Sequence, residues 1–155
     1  MPGSDLDKQK NSVVAIEHDR RGILAHLLFD AARRHESRII ELIGALGHID
    51  VRSTHLTVIR NLDLKGTRIT ELARRAGMTK QSMSDLVQRC EDMGFVGRSA
   101  DETDRRAKKI IFTNMGRQLV EDIWDVVDRV DQEMAEIIGR AKVTSLQNAL
   151  KKYLC

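Results

Sequence analysis

Aromatic side chains are scarce in this chain of 155 residues, which holds one Trp, one Tyr and three Phe. β-Rich domains lean on aromatic and β-branched residues, so the shortage favours a helical protein whose core is built from Leu, Ile, Val, Ala and Met. Proline occurs once, at Pro2, and nothing further along breaks a long helix. The two cysteines, Cys90 and Cys155, stand far apart without metal-ligand spacing, and the five histidines are scattered. A disulfide framework, a metal site and a bound cofactor are therefore not expected, and a reducing cytoplasm fits best. No apolar run approaches the ~20 residues of a membrane span. The opening MPGSDLDKQKNS lacks the apolar stretch of a secretory signal. A soluble, cytoplasmic protein with no membrane partner is expected, long enough to bury one real core.

What is present is helical periodicity with clear punctuation. Residues 1–17 read as an N-terminal arm. From Asp19 to Leu46 apolar residues recur at Ile23, Leu24, Leu27, Leu28, Ala31, Ile39, Ile40, Leu42, Ile43 and Leu46, interrupted by polar RRHESR, with Gly47 placed to end the helix. Ser53 is placed to cap a helix carrying Leu56 and Ile59. Thr67 or Arg68 then precedes a short helix, Thr70 to Ala76, with Leu72 and Ala73 inward; Gly77 supplies a turn, and Thr79 is an N-cap for the next helix. That helix buries Met83, Leu86, Val87 and Cys90, spaced i, i+3, i+4, i+7, and ends around Met93 and Gly94.

Phe95 to Ser99 and Ala107 to Phe112 read as short strands around a polar loop, Ala100 to Arg106. Thr113 caps a long helix. Its apolar positions Leu119, Ile123, Val126, Val130, Met134, Ile137 and Ala141 are separated by gaps of 4, 3, 4, 4, 3 and 4, a heptad seam suited to a second copy. Thr144 with Gln147 resembles a capping box opening a final helix through Leu146, Leu150 and Leu154.

Two short helices about a tight turn, followed by a basic hairpin, place one element in a DNA major groove and another against the neighbouring minor groove. Charge follows the same division. Residues 60–109 hold 12 Lys/Arg against 8 Asp/Glu, a net +4, while the remainder holds 14 against 15, a net −1, giving the total of +3. Opposite its buried face, the helix after Thr79 shows Lys80, Gln81, Ser84, Asp85, Gln88 and Arg89. Lys80 suits guanine O6 and N7, and Gln81 suits adenine. Thr79, Ser84 and Arg89 suit phosphate oxygens, and Ser53 and Ser82 join this candidate set. The plainer alternative is an amphipathic helix that is merely solvated; the helix pair and the hairpin weigh against it. In the loop ADETDRRA, pairing of Asp101 or Asp104 with an arginine would stiffen the hairpin and leave a guanidinium for a narrow minor groove. Lys108 and Lys109 alternate in facing, so one of them points to phosphate. The plainer alternative here is a surface hairpin with a local salt bridge.

The segment TELARRAGMTKQSMSDLVQRCEDMGFVGR, followed by DETDRRAKKIIFTNMGRQL, resembles the multiple-antibiotic-resistance regulator (MarR) family of winged helix-turn-helix proteins. The likeness covers residues 53–120, and the flanking helices match in length and position. It implies a mainly α fold: a winged helix-turn-helix domain at 50–113 with a small β-hairpin wing, flanked by dimerisation helices at 18–48 and 114–155. It implies a recognition helix at 79–93 and a wing at 100–107, with Asp104 bracing the wing and Arg105 or Arg106 entering the minor groove. Many relatives carry arginine where Thr103 stands here. An obligate homodimer with interlocked first and last helices is implied, and Ile23, Leu27, Ile123, Val130, Met134, Ile137, Leu146 and Leu150 are its candidate contacts.

The resemblance further implies control by a small molecule, often a phenolic or aromatic acid, held between the long dimer helix and the winged domain. Arg34, His35 and Arg38 are candidate carboxylate partners and Trp124 a candidate wall, although surface charge is the plainer reading of Arg34 and Arg38. Some relatives sense oxidants through a cysteine near the start of the first long helix; none stands there, so redox control is not expected. The functional expectation is a homodimeric repressor reading a pseudo-palindromic operator in double-stranded DNA, its half-site centres ~10 bp apart, and released by an aromatic-acid-like ligand. The alternative is a winged-helix module that binds protein without sequence-specific DNA binding. No Ser/His/Asp, phosphate-loop or metal-ligand arrangement emerges, so an enzyme is not expected.

Overall fold

The computed structural model describes residues 22–101 and 107–155. The chain divides into two compact units after Ser37. The first begins helix α1 (Leu24–Ala45). The second continues through α2 (Ser53–Asn61), β1 (Thr67–Arg68), α3 (Ile69–Arg75), α4 (Lys80–Asp92), β2 (Val96–Ala100), β3 (Lys108–Phe112), α5 (Asn114–Ile138) and α6 (Arg140–Leu154). The three strands form one antiparallel sheet in the order β1-β3-β2, with β3 central. This is the expected fold class: mainly helical, with α3 and α4 as a helix-turn-helix and β2–β3 as its wing.

Local chemistry sets the boundaries that position the site. Thr79 Oγ1 accepts the Ser82 N–H at 3.1 Å and starts α4, satisfying one of the donors that a helix N-terminus leaves open. From there Met83, Val87 and Cys90 turn inward to join Ile43, Val58, Leu72 and Leu119, all fully buried, in the core. Leu86 is only half-buried. Thr113 opens α5 in the same way, accepting the Gly116 N–H at 3.0 Å while its hydroxyl donates to the Gly94 carbonyl at 2.6 Å. A Cβ at Gly116 would overlap the Phe95 carbonyl oxygen, so only glycine lets α5 start this close to the strand that follows α4.

Several expectations need correction. Ser53 does not cap α2; Arg52 holds the N-cap position, and its N–H donates to His55 Nδ1 at 3.1 Å. Thr67 and Arg68 form a strand, because they pair with Ile110 and Lys109, and α3 starts at Ile69. β2 lies one residue later than expected, at 96–100, and β3 starts one residue later but ends at Phe112 as expected, in the register Val96↔Phe112 to Ala100↔Lys108. The heptad seam does not run unbroken to Ala141, since Gly139 at φ +92 ends α5, a conformation that L side chains rarely adopt. Leu119, Val126 and Val130 belong to the chain's own core. Thr144 and Gln147 open nothing. They lie inside α6, where Thr144 Oγ1 donates to the Arg140 carbonyl and Gln147 Nε2 reaches Asp131 Oδ2.

No helix among the described residues is long and apolar enough to cross a membrane.

Candidate nucleic-acid interface

The solvent face of α4 is polar along its length. Lys80, Gln81, Ser82, Gln88 and Arg89 are exposed and Ser84 is half-buried. Gln81 Nε2 donates to Asp85 Oδ1 at 3.1 Å and Gln88 Nε2 to Asp92 Oδ1 at 2.9 Å. Such exposed i, i+4 pairs are worth only about 0.2–0.5 kcal/mol, so a base edge competes with them easily. The Thr79 and Ser82 hydroxyls lie 2.8 Å apart and share one hydrogen bond, which makes Thr79 first of all the cap that aims the helix. Lys80 and Arg89 make no ion pair among the described residues. Nine residues apart, they stand about 13 Å from each other along the axis.

Beneath Arg89 lies a residue that the sequence pattern does not single out. His55 is buried at 8 % exposure. Its charged form is disfavoured first by burial and then by the charges of Arg52 and Arg89. The imidazole is neutral, with Nδ1 accepting the Arg52 N–H. Arg52, exposed beside Ser53 at the start of α2, and Arg89 on α4 thus both bear on His55 through their charge. The only sequence signal of Arg52 is its place next to Ser53, which by itself carries no orientation.

At the wing, Asp101 is 2 % exposed. It receives Arg68 Nε at 2.6 Å and faces Lys109 Nζ at 3.7 Å, while its N–H donates to the Ala107 carbonyl at 3.1 Å. Of the two acids considered for bracing the hairpin, Asp101 holds an arginine, Arg68, which comes from β1. Thr103, Asp104, Arg105 and Arg106 lie outside the described residues. Lys108 is exposed and Lys109 half-buried, so Lys108 is the outward member of the pair. Arg98 on β2 grips Glu91 through contacts of 2.9–3.1 Å and ties the wing to the end of α4. Arg74 and Arg75 are committed to acids: Glu71 binds both and is held down at about pKa 2 by their hydrogen bonds, and Arg75 also holds Asp63.

Of the ligand candidates, Arg38 is engaged with acids of its own chain. Arg38 already binds Glu133 by two hydrogen bonds, 2.8 and 2.9 Å, and Glu41 at 2.8 Å. It is not an open carboxylate partner, because two carboxylates already occupy its fork. Trp124 is 66 % exposed, Arg34 is exposed and His35 half-buried. Among the dimer candidates, Ile23, Leu27, Ile137 and Leu146 are exposed, while Ile123, Met134 and Leu150 are half-buried. Val130 is buried within the chain's own core and drops out as a contact. Cys90 is buried, which pushes its thiol up to about 12, so it is packing and not chemistry.

A family model described as MarR family matches residues 37–107. The transcriptional regulator PrsX of Escherichia coli is 24% identical over 137 residues, covering 81% of this chain and 82% of PrsX. FarR of Neisseria gonorrhoeae is 28% identical over 116 residues, covering 74% of this chain and 80% of FarR. Among solved structures, the transcriptional repressor CouR bound to a 23-mer DNA duplex superposes with a TM-score of 0.68 at 20% identity, over 88% of this chain and 96% of that one. CouR from Rhodococcus jostii RHA1 bound to p-coumaroyl-CoA gives a TM-score of 0.68 at 23% identity, over 86% and 92%.

Proposed function

We propose that the chain is a transcriptional regulator of the MarR family, which it resembles over residues 37–107, and that it acts as a homodimeric repressor that lets go of a pseudo-palindromic operator when a small aromatic-acid-like ligand binds. The observation that carries DNA binding is the solvent face of α4. Lys80 and Arg89 stand exposed at its two ends, Gln81 and Gln88 between them, on a helix aimed by the Thr79 cap and backed by a buried core. Lys80 and Gln81 read base edges, while Ser53, Ser84, Arg89 and Lys108 hold phosphates; Thr79 and Ser82 set the entry angle. Arg105 or Arg106 is assigned to the minor groove and Asp104 to bracing the wing. In this division of labour residues 50–113 meet DNA, and 18–48 with 114–155 join two copies.

Support for the dimer comes from apolar side chains near both ends of the chain: Ile23, Leu24, Leu27 and Phe29, and Ile137, Leu146, Tyr153 and Leu154, are all exposed. Exposed apolar surface gains roughly 25 cal/mol per Å² when covered, and a second copy is the covering that one gene supplies. Support for a ligand of this class comes from CouR, whose solved complex holds p-coumaroyl-CoA.

The test is fluorescence anisotropy of the purified full chain on labelled fragments from upstream of its own gene, with and without aromatic acids and their CoA thioesters. Sequence-specific binding that weakens with ligand supports the proposal. Binding to no fragment at low salt ends it, and salt-insensitive binding to a protein partner instead would favour an interaction module.

A further inference from the structure

We propose that Arg68 is a positioning residue that locks the neck of the wing to the start of the helix-turn-helix, so that α4 and the wing meet DNA as one body. The inference rests on the DNA-binding reading above and adds a residue which that reading does not use. Three roles converge on Arg68. Its backbone pairs with Lys109 on the central strand β3. It is the N-cap residue of α3, immediately ahead of Ile69. Its side chain reaches across β3, from one edge of the sheet to the other, and places Nε 2.6 Å from Oδ2 of Asp101.

Asp101 sits just beyond the end of β2, where its N–H closes onto the Ala107 carbonyl at 3.1 Å. Its carboxylate is 1 % exposed, against 42 % for the Arg68 side chain. A carboxylate this buried needs paired cations, since removing one partner leaves a charge that water cannot reach. Arg68 supplies a direct hydrogen bond, and Lys109 adds an ion pair at 3.7 Å from Oδ1. Docking of β1 on β3 therefore brings to the acid a guanidinium that its burial calls for.

The geometry explains why a strand of two residues exists at all. β1 is too short to stabilise a sheet by its ladder. Gly66, at φ +84 and placed where a Cβ would run into Ile111 and the Ile110 carbonyl, lets the chain approach β3 closely enough to begin it. What β1 adds is the Arg68 side chain, carried from the first turn of α3 to the wing. The Arg98–Glu91 pair makes a second tie, between β2 and the end of α4. The two ties hold the hairpin to both helices of the motif.

Hydrogen–deuterium exchange on the free full-length protein tests the lock without DNA. In Arg68→Met, amides around Asp101 and Ala107 are expected to exchange at least about tenfold faster, while the α5 amides around Leu119 keep their wild-type protection. Asp101→Asn should loosen the same amides, and the double variant no more than the worse single, as for partners in one interaction. Should Arg68→Met not fold, Arg68→Lys carries the test, with loosening confined to the neck expected. On the operator, hydroxyl-radical protection on the wing side should fade in these variants while protection of guanine N7 from methylation persists at higher protein concentration. The salt slope should drop by about one for each phosphate that the loosened wing no longer holds. Wild-type exchange at the neck in folded Arg68→Met or Arg68→Lys, or additive effects in the double variant, would overturn the proposal. So would equal loss of both kinds of protection. Failure of the wild type to bind any DNA would end the regulatory reading alone, because the exchange measurement still decides the lock.

Discussion

Arg38 on α1 grips Glu133 on α5 with two parallel hydrogen bonds, Nε to Oε2 at 2.8 Å and Nη2 to Oε1 at 2.9 Å. The bidentate geometry is the strong form of the arginine–carboxylate pair, and it occupies a side chain that the sequence alone offers as a ligand partner.

The hydrogen bond from Arg38 holds the Glu133 carboxyl below the usual carboxylate range. A depressed carboxylate contributes stability that is present above its unfolded pKa and lost as pH falls through its folded value. Glu133→Gln should therefore flatten the fall in urea midpoint between about pH 5 and pH 3, a window set by ordinary carboxylate titration. Because both side chains are about one-third exposed, the effect at neutral pH should be small. An unchanged acid limb in the variant would show that the pair adds nothing to the folded state.

Thr79 separates capping from DNA contact. Thr79→Ala should cost about 1 kcal/mol of stability, because the hydrogen bond to Ser82 goes with the hydroxyl. Thr79→Asp keeps a cap and favours the helix dipole, so it should melt like the wild type. Its carboxylate would face phosphate, and operator affinity should drop at least about tenfold. Wild-type affinity in Thr79→Asp would move the α4 N-terminus away from DNA.

Gly116→Ala should destabilise by about 1–3 kcal/mol or more, because its Cβ meets backbone, which cannot step aside as a flexible side chain would. A guanidinium midpoint within error of the wild type would show that α5 can shift away from Phe95.

How much of this is legible in the sequence depends on how far each interaction reaches along the chain. Thr79 with Ser82 and Thr113 with Gly116 are caps three residues long, and a hydroxyl before an apolar period announces them. Gly77 and Gly94 likewise punctuate where the backbone turns to positive φ. β1 is not readable, because Thr67 and Arg68 become a strand only through pairing with Ile110 and Lys109. The Arg68–Asp101 contact spans 33 residues and the Arg38–Glu133 contact 95; no periodicity encodes either. The α5 boundary escapes for a different reason. Ala141 continues the heptad spacing past Gly139, and the apolar pattern outweighs a single glycine whose backbone breaks the helix. Thr144 and Gln147 then imitate a cap inside α6.

His55 gives the fold a second pH dependence of opposite origin. Burial disfavours the imidazolium, and Nδ1 must stay unprotonated to accept the Arg52 N–H. A histidine whose folded pKa is lowered contributes stability that is full above its unfolded pKa and is lost as pH falls toward the folded value. The urea midpoint should decline from about pH 6.5 downward, and His55→Asn should remove that part of the slope. A variant with the wild-type slope between about pH 7 and pH 5 would place the titrating group elsewhere.

The central claim is that α4 presents its solvent face to DNA, and salt-dependent anisotropy reads it most directly. Titrations of the wild type, Lys80→Ala and Arg89→Ala on the same promoter fragment, at several salt concentrations, should give linear log–log plots. The wild-type slope should be steep, and Arg89→Ala should reduce it by about one, as expected for one phosphate contact. Lys80→Ala should lower affinity for the operator more than for unrelated duplex, as expected for a base contact. Slopes and affinities identical in all three proteins would contradict a DNA-reading role for this helix.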